Sequence, residues 1–92
     1  MMFGEPPSRE AVEARQAEIV LAAAEAMEAT LSVAEALVAE RRRIDLTGLE
    51  DEIGRLCAAA LAAPRAAAPA LRVRFEAMVR SLDRLRAGLG PP

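Results

Sequence analysis

The sequence predicts an all-α protein of three helices, one long N-terminal helix covered by two shorter ones, arranged as an antiparallel hairpin or a bundle. Three observations predict it. Apolar residues recur at helical rather than strand spacing along nearly the whole chain. Good helix formers, chiefly Ala, Glu, Leu and Arg, dominate between positions 8 and 43. Away from the chain ends the main breaks fall around 44–48 and 64–69, which cuts the chain into three pieces. The expected bounds are a tail over 1–7, a single helical domain over 8–89 with helices at about 8–43, 47–63 and 70–87, and a short tail over 90–92.

The first helix organises the rest. At roughly 100° per residue, Val12, Ile19, Val20, Ala23, Met27, Leu31, Val33, Ala34, Leu37, Val38 and Ile44 share one broad face. Glu10, Glu18, Glu25, Glu28 and Glu35 share the other, with Leu21 as the main apolar exception. This is a helix with one buried side. Ser8 fits the N-cap after Pro6 and Pro7. Glu10 and Glu13 fall in the first turns and Arg41, Arg42 and Arg43 in the last, both favoured by the helix dipole.

The segment Ile44-Asp45-Leu46-Thr47-Gly48-Leu49-Glu50 ends one helix and starts the next. Thr47 with Glu50 fits a capping box, and Asp45 as cap would instead pair Ile44 with Leu49 as a hydrophobic staple. In the second helix Leu49, Ile53, Leu56 and Ala60 form a seam. Gly54 inside it suggests a close helix crossing, and Cys57 beside it a buried, inert thiol. Glu50, Asp51 and Glu52 read as the acidic first turn of this helix.

Pro64 to Pro69 is a break, with Pro69 suited to the first turn of a third helix. There Leu71, Phe75, Met78, Leu82, Leu85 and Leu89 form the cleanest heptad seam of the chain. Arg72, Glu76 and Arg80 make opposite-charge i,i+4 pairs on its wet side. Two layouts follow from the lengths. Either the second and third helices run in series along the first, or the third folds back and leaves part of the first bare.

Net charge is −2, but it is unevenly spread. Residues 1–40 carry eight acids and two bases, and residues 65–92 carry six Arg and two acids. An acidic first helix and a basic third attract one another, within a chain or between chains. All twelve basic residues are Arg; there is one Cys and no His. That composition offers no neutral-pH general base, no Schiff-base Lys, no metal-ligand spacing and no Gly-rich phosphate loop. The expectation is a non-enzyme without cofactor or metal, binding neither nucleic acid nor membrane. The start of the chain lacks the regions of a signal peptide, and the expected location is the cytoplasm. Met1, Met2 and Phe3 could hook a partner, although a frayed terminus is the plainer reading. The Arg41–Arg43 triplet reads as a solvated helix end.

With 92 residues and only 2% aromatics, the core is thin for its size. Extra burial through self-association follows, so the expected function is a helical protein–protein interaction module, a homodimer or a binder of a partner helix. The expected interface is Leu71, Phe75, Met78, Leu82 and Leu85 with Leu31, Leu37 and Val38, each equally readable as intramolecular core. In helix lengths the chain resembles the all-helical chorismate mutases, which implies an intertwined dimer. Their site, however, uses several Arg with a Lys, a Glu and a Gln. This chain has no Lys, its one Gln is Gln16, and Arg9 and Arg15 do not reproduce the first-helix spacing. In general shape it also resembles the small helical chaperones of flagellar and type III export, which implies an adaptor that holds a partner on an apolar helical face.

Overall fold

The structure is a computed structural model and describes Gly4, Pro6 and residues 8–90. The expected tails over 1–7 and 90–92, with the hook at Met1, Met2 and Phe3, otherwise lie outside the described residues. The protein is all-α: α1 spans Arg9–Ala39, α2 Leu46–Leu61 and α3 Ala68–Leu89, with one 3-10 turn at Arg65–Ala67. None of these helices is long and apolar enough to cross a membrane.

Ser8 caps α1, its Oγ accepting from the Ala11 amide at 3.0 Å. The helix ends four residues earlier than the composition suggests. Arg41 takes φ 62°, the left-handed conformation. The Arg42 amide then donates to Leu37 O and the Arg41 amide to Val38 O, both at 2.9 Å. This is the Schellman closure, here without its usual glycine. Arg41, Arg42 and Arg43 therefore form a connecting loop and not the last helical turn.

Asp45 decides the start of α2. Its Oδ1 accepts from the Gly48 amide at 2.9 Å. Of the two caps open in the sequence, Asp45 is the one used, and Ile44 and Leu49 both pack against the core as the staple requires. Because α2 begins at Leu46, Glu50, Asp51 and Glu52 fall beyond its first turn. Gly54 marks no crossing, since a Cβ there would meet nothing within 4 Å. Cys57 is exposed, not buried: Ile53 and Leu56 are the buried residues of α2, and Cys57 lines an open groove beside Leu71 and Phe75 of α3. α3 starts at Ala68, two residues before expected, since Pro69 is tolerated where the first-turn amides have no partner.

α3 makes its main contacts with α1, and α2 touches α3 least. Arg74 reaches Glu25 and Glu28, Arg84 reaches Glu35, and Gly88 sits against Val38. These pairs advance together along both helices, so α1 and α3 run side by side in the same direction, not with α2 and α3 end to end. Ala24, Met27, Leu31 and Ala34 from α1, Ile53 and Leu56 from α2, and Met78, Leu82 and Leu85 from α3 form the core. Leu31, Met78 and Leu85 are sealed completely, each worth about 1.5–3 kcal/mol over an exposed position. Leu89, the last seam position, is 41% exposed.

The offset between the helices leaves α1 overhanging. The start of α3 lies level with about Val20, and residues 9–16 of α1 are all exposed. At 1.5 Å per residue the overhang is roughly 15 Å.

Candidate interaction surface

The eight residues expected at an interface divide sharply. Leu31, Leu71, Met78, Leu82 and Leu85 are 0–8% exposed. They fill the chain's own core and leave no area for a partner in this conformation. Leu37, Val38 and Phe75 are half-buried at its rim. In this structure the buried part of the α3 seam packs within the chain.

The acidic and basic ends of the chain also find each other internally. Arg74 bridges Glu25 at 2.9 Å and Glu28 at 3.0 Å. Glu35 accepts from Arg84 and from Ser81 Oγ, which donates at 2.5 Å. These donors, Arg84 first and Ser81 next, hold the Glu35 carboxyl below the usual carboxylate range. At the other side of α3, Arg86 bridges Glu50 of α2 at 2.7 Å. The pairs Arg72–Glu76 and Glu76–Arg80 expected along α3 are not formed; the bridges from α3 to the other helices run instead from Arg74, Arg84 and Arg86. Such partly exposed bridges contribute about 0.2–1 kcal/mol each, and they fix the register of α1 on α3 more than they stabilise it.

Among the apolar residues that remain uncovered, which include Leu61, Val73 and Val79, those of α1 form a second seam. The broad apolar face read from the sequence splits in two. Val20, Ala24, Met27, Leu31, Ala34 and Val38 turn inward. Val12, Ile19 and Val33, at 41%, 59% and 59% exposure, turn outward. The outward residues keep a strict seven-residue repeat, Val12, Ile19, Ala26, Val33, interleaved with Gln16, Ala23, Thr30 and Leu37. This alternating three-and-four spacing is that of a coiled-coil seam. The signal was present in the sequence, but its closeness in angle to the core stripe merged the two.

Two of the open grooves among the described residues lie beside exposed apolar side chains. One, of about 490 Å³, continues the outer seam between α1 and the start of α2, past Val33, Leu37, Ile44 and Leu49. The other, of about 280 Å³, lies between α2 and α3 beside Cys57, Leu61 and Phe75, where Leu61 is 89% exposed. Among the described residues no group of three or more Asp, Glu, Cys or His is placed to hold a metal ion. Comparison with protein-family models, with curated proteins and with solved structures returns no match, so the surface stands on its own geometry.

Proposed function

We propose that the chain is a helical protein–protein interaction module, without catalytic activity, that works through the outer face of α1. One observation carries this reading. A helix whose inner face is sealed by α2 and α3 keeps a second face of Val12, Ile19 and Val33 in water, in coiled-coil register. Large side chains held 41–59% exposed along one stripe are an energetic cost in an isolated chain and a gain against another helix. Recognition is then helix against helix, with every third or fourth side chain as an anchor. An exposed lone thiol, Cys57, fits a reducing compartment, and the proposed setting is the cytoplasm.

The test places a photo-activated cross-linking side chain at Ile19 in cells that produce the protein. The captured polypeptide is identified, whether another copy or a different chain. Capture that disappears when Val33→Glu is added supports the module. No capture at Ile19, or capture that Val33→Glu leaves unchanged, contradicts it.

A further inference from the structure

Resting on the interaction-module reading, we infer that the occupant of the outer seam is a second copy of this chain, docked antiparallel through α1. Three features of the chain converge on that partner.

The first is complementarity along the seam. Laid antiparallel about a two-fold axis near its middle, the seam sets Val12 against Leu37 of the other copy, Ile19 against Thr30 and Ala23 against Ala26. Small residues meet at the centre, which lets the helices approach closely; outward, Ile19 meets the small Thr30, Val33 meets the exposed Gln16, and Val12 meets the half-buried Leu37. Thr30 already donates its hydroxyl to Ala26 O at 3.1 Å, so burying it orphans no donor.

The second is charge. The same repeat extended outward reaches Arg9 at one end and Glu40 at the other. Antiparallel docking places Arg9 opposite Glu40 at both ends of the seam. Parallel docking stacks Arg9 on Arg9 and Glu40 on Glu40, which repels. Among the described residues Arg9 bridges Glu13 at the surface, with 92% of its own side chain in water, and such a bridge is readily exchanged.

The third is shape. The overhang of α1, residues 9–18, has no helix beside it in its own chain. The groove between α1 and α2, past Val33, Leu37 and Leu49, is open and apolar. The antiparallel arrangement lays the overhang of each copy into that groove of the other. Each feature is thus the complement of the other, twice over, as two-fold symmetry requires. The seam from Val12 to Leu37 is about 38 Å long. With alanines at its centre it falls at the small end of stable interfaces, which begin near ~1,200 Å², so the expected dissociation constant is on the order of micromolar.

The experiment uses the full chain with Cys57→Ala, carrying either Gln16→Cys or Val33→Cys. Both sites are exposed, so folding is retained and is checked by circular dichroism. The two proteins, one carrying a size tag, are mixed above micromolar concentration and treated with a short bis-maleimide. Antiparallel docking gives the mixed cross-link in preference to either homodimeric product, because the two copies of position 16 lie about 25 Å apart along the helix axis. Cross-links of position 16 to itself overturn the orientation. Absence of any cross-link, while the Ile19 probe captures a different protein, overturns the second copy and leaves the module reading standing. Absence of both overturns the two together.

Discussion

Ser81 Oγ donates to Glu35 Oε2 at 2.5 Å, and this one contact, doubled by Arg84 on the same carboxylate, locks α3 to α1 in register. Glu35 is held below the usual carboxylate range by these donors. A depressed folded-state pKa contributes stability that is present above the unfolded value of about 4.3 and is lost as pH falls through the folded value. Resistance to urea unfolding should therefore fall on acidification below about pH 4.3, and part of that slope should vanish in Glu35→Gln. Ser81→Ala should cost about 1 kcal/mol at neutral pH. A Glu35→Gln protein with an unchanged acid slope would remove Glu35 from this role.

Asp45, not Thr47, caps α2. Asp45→Ala should therefore lower stability by about 1 kcal/mol, whereas Thr47→Ala should leave it within roughly 0.5 kcal/mol. Equal losses from both variants, measured by thermal melts, would restore the capping box.

Two backbone positions should respond in the stabilising direction. Arg41 holds a left-handed φ of 62° that glycine adopts without steric cost. Arg41→Gly should gain up to about 1 kcal/mol. Gly54 has open space at its Cβ position, and Gly54→Ala should gain about 0.5–1 kcal/mol. Gly88→Ala serves as the contrast, because its Cβ would lie 2.8 Å from Val38 Cγ1 and one of them must move.

Cys57 should react with a thiol reagent in the native protein at a rate close to that of an unfolded control. A thiol that waits for unfolding would show that the C-terminal half of α2 is covered.

The three helices could be read from the sequence because each carries its own periodicity and because Ser8, Pro64 and Pro69 punctuate them. The end of α1 could not. Nothing in Arg41-Arg42-Arg43 announces a left-handed turn, since arginine is an unusual residue there and the closure depends on Leu37 and Val38 carbonyls. The burial of Cys57 was misjudged for a related reason. Its seam is apolar, but whether α3 covers that end of α2 depends on packing that periodicity does not encode. A heptad repeat looks the same whether its partner is α1 of the same chain or a helix of another, so the α3 seam was readable from the sequence both as core and as interface. Only the structure separates them, by sealing Met78 and Leu85 while leaving Ile19 and Val33 in water.

The central claim is that the outer face of α1 serves association and not folding. Sedimentation velocity over a concentration series, comparing the natural chain with Ile19→Glu/Val33→Glu, tests it most directly. The natural chain should pass from monomer to dimer around micromolar concentration. The variant should stay monomeric while its dilute-solution melting midpoint is unchanged within a few degrees. A natural chain that stays monomeric throughout, or a variant that dimerises equally well, would contradict it.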